Sequence, residues 1–400
     1  MKKLVRFTGG VALNLILGVT AFAQHYTQTN LVSNMSGVAP VTDPQLINAW
    51  GLSRGSGSPW WVSDQATGFS TLYDGAGAKQ SLIVTIPPAD PTNKNTPIGS
   101  PTGTIFNGSQ TDFLLAPGKP AAFLFSTIDG TIAAWNPTVA VDQGAAPPST
   151  HAVTVFKATD GSSFTGLTSA LIGGKRFLYA ANFTKGRVDI FDNMFQPVTV
   201  KSHSDGNSGE GNGPFPRNRF TDESLPDHYV PFNVQAIGND VVVTYVLHEG
   251  SSPFETDGPG LGFVDIFSSN GQLLRRLQHG DWLNAPWGVA LAPLDFGRFS
   301  HDLFVGQFAG GGQTQSSGFI AAYDLATGKL DGLLEDASGK PLAINGIWSL
   351  SPGNVSPANN DPATAPAAAV YFTAGPNHGS GGLLGHLTAV SSELATGNDQ

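Results

Sequence analysis

Three kinds of short apolar segment follow one another in the same order six times along this chain, and such a chain has few ways to bury itself. An opening segment follows Gly or Asn: AWGLS (49–53), TGLTS (165–169), PFNVQA (231–236), PWGVALAP (286–293) and INGIWSLSP (344–352), with a weaker copy at GTIFNG (103–108). A second, strongly apolar segment comes next, as in WWVSD (60–64), AFLFST (122–127), RFLYAAN (176–182), VVVTYVL (241–247), DLFVGQF (302–308) and AVYFTAG (369–375). The third closes on an aromatic in the first five copies: Tyr73, Trp135, Phe191, Phe267 and Tyr323, which stand 62, 56, 76 and 56 residues apart. GGLLGHLTAV (381–390) supplies the sixth.

Gly, Asn, Asp and Pro flank these segments, and their backbone preferences suit tight turns. The chain has 50 Gly and 28 Pro among 400 residues and no sustained helical period, so it reads as all-β. A single sheet of three or four strands leaves a face uncovered. Six such sheets set radially around an axis cover one another, and closing the ring leaves only short edges. The repeat therefore predicts a six-bladed β-propeller in one domain over residues 24–400, with enlarged loops at 201–230 and 248–261. YTQTNLVS (26–33) alternates weakly and is expected to complete the last blade.

Residues 1–23 are set apart from the repeat. Lys2, Lys3 and Arg6 precede the apolar VALNLILGV (11–19), and AFA ends at Ala23, the pattern of an export signal with its cleavage site. The apolar run is short for a membrane span. The remaining chain is expected to be secreted or periplasmic, with no membrane span. The chain carries 20 Lys+Arg against 30 Asp+Glu, and without the three N-terminal basic residues its net charge is −13. Nucleic acid and anionic lipid both need a cationic surface, which this balance argues against.

Catalytic handles are sparse. The chain has no cysteine, so thiolate chemistry is excluded, and no G-x-S-x-G elbow is present. His248 in LHEGSS has no second His four residues later, and DGNSGEGN (205–212) lacks the acidic residue that would complete a calcium loop. The most polar stretch, FPRNRFTDESLPDHY (215–229), offers Arg217 and Arg219 to a carboxylate or to sugar hydroxyls. With HEGSSPFETDGPG (248–260) it defines the expected functional face, because long loops on a rigid scaffold commonly carry function.

Residues 31–75, with PFNVQAIGNDVVVTYV (231–246) and GVALAPLDFGRFSHDLFVGQF (288–308), resemble an uncharacterised family of exported bacterial conserved hypothetical proteins with a propeller-like repeat. That resemblance carries no activity with it. More distantly, the repeat is similar to NHL-type propellers and to gluconolactonase-like six-bladed enzymes, and INGIWSLSPG (344–353) resembles one of their Asn-Gly motifs. The second resemblance implies a divalent cation, usually calcium, held on the axis by Glu, Asn and Asp.

Register weighs on that implication. Aligning Leu52, Leu167, Val234, Val289 and Ile347 places Asn345 beside Trp50, Thr165, Phe232 and Trp287. Asn233 then falls one residue later, beside Gly51, Gly166, Gly288 and Gly346. One residue along a strand reverses the face, so the two asparagines do not converge, and a full metal cage is not expected. Asp64, Asn182 and Gln307, from second segments, remain candidates beside a single ion with water ligands. The expected function is a non-catalytic binding module for an extracellular or periplasmic glycan, peptide or protein partner. The alternative is a calcium-dependent lactonase-type hydrolase working at the central channel.

Overall fold

A computed structural model describes residues 24–198, 214–250, 252–308, 318–353 and 368–393. The expected export signal and residues 201–213 of the first enlarged loop lie outside the described residues. Within them the chain forms six antiparallel blades around an axis, the propeller that the repeat predicts.

From the axis outward, blade 1 comprises Ala49–Ser53, Trp60–Asp64, Phe69–Tyr73 and Lys79–Thr85. Blade 2 comprises Pro101–Phe106, Phe123–Thr127, Thr131–Trp135 and Val153–Lys157. The described strands of blade 3 are Phe164–Ile172, Lys175–Asn182 and Arg187–Phe191. Tyr229–Ile237, Asp240–Leu247, Gly262–Phe267 and Leu273–Arg276 make blade 4. Blade 5 contains Pro286–Leu291, Leu303–Gln307, Ile320–Tyr323 and Leu330–Leu333. Blade 6 contains Ile347–Pro352, Ala369–Ala374 and Leu383–Ala389, and takes Tyr26–Ser33 as its fourth strand.

That last pairing closes the ring with the two ends of the domain. Tyr26 lies opposite Ala389 and Ser33 opposite Leu383. Beyond it, the His25 backbone N–H donates to Glu393 at 2.7 Å, and its ring Nδ1 lies 2.9 Å from the same carboxylate.

The apolar runs of the second strands are explained by what lies on each side of a blade. Val241 and Val243 enter the core between blades 3 and 4, while Val242 enters the core between blades 4 and 5. Trp60 and Val62 face blade 6, and Trp61 faces blade 2. Strand alternation therefore divides each run between two apolar cores, and no position is left for water. The third-strand aromatics are buried in these cores, each contributing on the order of 1.5–3 kcal/mol by removal from water.

Near the axis every innermost strand carries a bulge against its neighbour. A bulge turns a side chain out of the normal alternation. The residues so placed are Trp50, Thr102, Thr165, Phe232, Trp287 and Trp348. The next residue in each strand is Gly51, Gly103, Gly166, Asn233, Gly288 or Ser349, and there neighbouring blades come closest. A Cβ on Gly103 would lie 2.6 Å from the Leu167 backbone nitrogen, and one on Gly288 would lie 2.5 Å from the Trp348 carbonyl oxygen. Where the position is not glycine, its side chain bonds the neighbour. Asn233 Nδ2 donates to the Trp287 carbonyl at 2.7 Å, and Ser349 Oγ accepts from the Leu52 N–H at 3.1 Å.

Gly103→Ala tests this close approach. Backbone on the far side cannot swing away as a flexible side chain would, so the variant is expected to lose about 1–3 kcal/mol of stability. Urea unfolding measures it; an unchanged midpoint would show that the blades are not packed this tightly.

Candidate functional site

The bulged side chains fill the channel with aromatic rings. Trp50 stacks on Trp348 with centroids 3.7 Å apart, and Phe308 stacks on the same indole at 3.9 Å. Trp287 meets Trp348 edge-on at 5.9 Å, and Phe232 lies 5.8 Å from it. Such pairs contribute about 0.5–1.5 kcal/mol each beyond the area they bury. Two of the indoles are also pinned: Trp287 Nε1 donates across the axis to the Thr165 carbonyl at 3.0 Å, and Trp348 Nε1 donates to Asn48 Oδ1 at 2.7 Å. The Trp50 indole N–H is buried without an acceptor, an unmet bond in a side chain only 6% exposed.

Over this layer, at the end of the channel where the innermost strands begin, lies a cavity of about 590 Å³. Its floor is Trp50, Phe183, Phe232, Phe308 and Trp348. One wall holds Asn48, Gln65, His378 and Gly379, and another holds Pro253, Phe254, Glu255 and Asp257 from the enlarged loop of blade 4. Asn48 spends its amide on the wall itself, since Nδ2 donates to Gln65 Oε1 at 2.8 Å. Phe254 is 70% exposed at the mouth. Glu255 is half-buried, and burial, reinforced by the Asp257 charge, pushes its carboxyl up to about 7.

The sequence candidates fall elsewhere. Asn345 is not at the axis: it precedes the strand, and its Oδ1 accepts the Asn377 N–H at 3.3 Å. The register is corrected at this blade alone. Leu350, and not Ile347, matches Leu52, Leu167, Val234 and Val289, so Trp348 takes the axial place and Ser349 the close-contact place. Gly346 (φ +71°) corresponds to Asn48 (φ +49°) and Ala285 (φ +49°), left-handed residues two before the axial aromatic, which is why an Asn-Gly turn looked like a strand start. Asn233 is buried, with its amide on the Trp287 carbonyl.

Asp64, Asn182 and Gln307 stand at equivalent places in blades 1, 3 and 5, opposite Ala49, Phe164 and Pro286. Most of their polar atoms bond to their own surroundings, and Asp64 Oδ1 is buried without a hydrogen-bond partner. Burial holds the Asp64 carboxyl well above the usual range, and its Oδ2 accepts the Thr71 N–H at 3.1 Å. Asn182 Nδ2 donates to Ser162 at 2.9 Å and to Asp189 at 2.6 Å, while Gln307 Oε1 accepts the Asn284 N–H at 2.9 Å.

Among the described residues the two long loops meet at one end, where the His228 carbonyl accepts the His248 N–H at 2.8 Å, but the arginines lie elsewhere. Arg219 donates to the Val198 carbonyl at 3.3 Å, and the adjoining Phe220 N–H donates to Gly271, at the opposite end of the blade from the cavity. Arg217 is exposed in the same stretch. Among the described residues, the 248–260 loop lines the cavity and 214–230 does not. Asn48 went unnoticed in the sequence, although Asn recurs just before an axial Trp in INAW, LNAPW and INGIW.

The raised Glu255 carboxyl has a defined sign. Its folded-state value exceeds the ordinary 4.5, so its contribution to loop order is full below about 4.5 and is lost as pH rises through about 7. Carboxyl 13C NMR should show Glu255 titrating with a midpoint near 7, a signal absent in Glu255→Gln. A midpoint in the ordinary Glu range would overturn the placement.

No family model matches the chain. An uncharacterised protein of Acanthamoeba polyphaga mimivirus is 26% identical over 358 residues, covering 89% of this chain and 78% of that protein. A second uncharacterised protein of the same virus is 27% identical over 367 residues, covering 89% and 84%. These relatives are viral, so the expected bacterial family is not supported by them. Among solved structures, the PQQ-bound aldose sugar dehydrogenase of Streptomyces coelicolor aligns with a TM-score of 0.49 at 10% identity, over 92% of this chain and 99% of that one. A streptogramin B lyase aligns with a TM-score of 0.45 at 9% identity, over 92% and 98%. Among the described residues no helix is long and apolar enough to cross a membrane. The chain is a six-bladed β-propeller with uncharacterised viral relatives.

Proposed function

We propose that this protein is an exported ligand-binding propeller whose site is the cavity at the end of its channel. The observation that carries the reading is the cavity's construction: a rigid aromatic floor with an unmet indole N–H, walled by polar side chains and one long loop. Its volume of about 590 Å³ suits a small molecule or the tip of a larger one, and apolar linings with few polar groups are usual for such sites. Export rests on the pattern of residues 1–23.

Binding without chemistry fits the lining better than hydrolysis does. The side chains of Asn182, Asn233 and Gln307 proposed for calcium make bonds within the protein, and of the Asp64 carboxyl Oδ2 does so while Oδ1 is buried without a hydrogen-bond partner. Asn345 and the two arginines are away from the cavity lining. A lactonase-type mechanism would need these groups to regroup.

Trp50 and Trp348 make the site report on itself. In a screen of diverse small molecules, ligands are expected to shift tryptophan emission and raise Tm, and Ser163→Phe, which fills the cavity from its wall, is expected to remove both effects. Should that variant fold poorly, Ile128→Trp narrows the mouth from an exposed position. Ligands that bind both variants as tightly as the parent would place the site elsewhere.

A further inference from the structure

We infer that the cavity takes an organic cation, an ammonium group bearing apolar substituents, held over the aromatic floor and against the Glu255 and Asp257 carboxylates. This rests on the cavity being the binding site.

The lining decides between ligand classes by charge. Among the described residues its ionisable groups are Glu255, Asp257 and His378, and no Lys or Arg lines it. An anionic ligand would meet two carboxylates and no fixed positive charge. A strongly hydroxylated neutral ligand needs many free donors and acceptors. Here the Asn48 amide is already engaged by Trp348 and Gln65, and much of the remaining surface is aromatic ring. An ammonium group with methyl or larger substituents meets neither obstacle. Ring faces attract a cation through their quadrupole while burying its apolar substituents, and this attraction strengthens away from water. Trp gives the strongest such attraction of the aromatic side chains. Trp348 has both faces covered by Trp50 and Phe308, so the rings with a face outside that sandwich are Trp50, Phe308, Phe183 and Phe232.

The acids complete the arrangement. Glu255 and Asp257 lie two residues apart on the loop segment that also presents Phe254. Their mutual repulsion is part of what raises the Glu255 carboxyl, and an entering cation relieves it. Binding should therefore release a proton near neutral pH.

The test compares three probes of one shape: benzyldimethyl(2-hydroxyethyl)ammonium, its neutral carbon isostere 3,3-dimethyl-4-phenylbutan-1-ol, and the anion 3,3-dimethyl-4-phenylbutanoate. Calorimetry and tryptophan emission on the whole protein are expected to show the cation binding at least about tenfold tighter than the alcohol, with the anion weakest. Glu255→Gln, in an accessible loop, should reduce cation affinity about tenfold and leave the alcohol unchanged. Cation affinity should rise with pH through about 7, and Glu255→Gln should diminish that rise. Equal or tighter binding of the alcohol, abolished by Ser163→Phe, would overturn the cation and keep the cavity as the site. Failure of both cation and alcohol to bind, or cation binding untouched by Ser163→Phe, would overturn both readings.

Discussion

The close approach of six innermost strands around one axis governs the rest of this molecule. Antiparallel sheets meet here edge to edge at a single register position, where four blades have glycine and the other two have Asn233 and Ser349. Glycine lets neighbouring backbones touch. Asn and Ser reach their neighbours by a side-chain hydrogen bond. Because strand geometry links successive positions, the residue before the contact is committed as well: a bulge turns it into the channel, and aromatic side chains at four of the six places close the bore. Tight packing of the ring and plugging of the channel are thus one constraint seen at adjacent residues.

That constraint also decides what the polar residues near the axis can do. A buried amide or carboxyl must be paired, and near the axis the partners at hand are backbone groups of the next strand or the next blade. Asn233 and Gln307 are paired in this way, and Asn182 with the Ser162 and Asp189 side chains, so residues that resemble an ion cage in one dimension act as ties between strands in three. Thr373 shows the same use between blades 6 and 1, with Oγ1 donating to the Trp50 carbonyl at 2.5 Å and accepting the Ser349 N–H at 3.1 Å.

The blades were readable in the sequence because each second strand is buried on both faces, which leaves uninterrupted runs such as WWV and VVV. Outer strands such as Lys79–Thr85 and Leu273–Arg276 gave little signal, since they are half-exposed and their composition is mixed. Tyr26–Ser33 could be placed because a closed ring needs a partner for its last edge. The site was far less legible. INGIWSLSPG puts its turn glycine where other blades have Asn48 or Ala285, and aligning on the first aliphatic residue slid the blade three places. The meeting of Asn48, Trp348 and Gln65 spans about 300 residues of chain, a proximity that no local pattern encodes.

The cavity joins two kinds of structure with different demands. Its floor is part of the closed ring, so the positions of Trp50, Trp348 and Phe232 are set by packing that holds the fold together. The acidic wall belongs to a loop inserted between two strands of one blade, anchored by the Thr256 N–H on the Leu247 carbonyl at 2.8 Å and the Gly258 N–H on Asn284 at 2.7 Å. Just before those anchors Pro253 and Phe254 stand out into solvent. Substitutions in the loop can change the charge and shape offered to a ligand at little cost to the ring, whereas substitutions in the floor disturb both. In the proposed site, affinity for the apolar part of a ligand would therefore be tied to the stability of the propeller, and selection by charge would fall to residues 252–258.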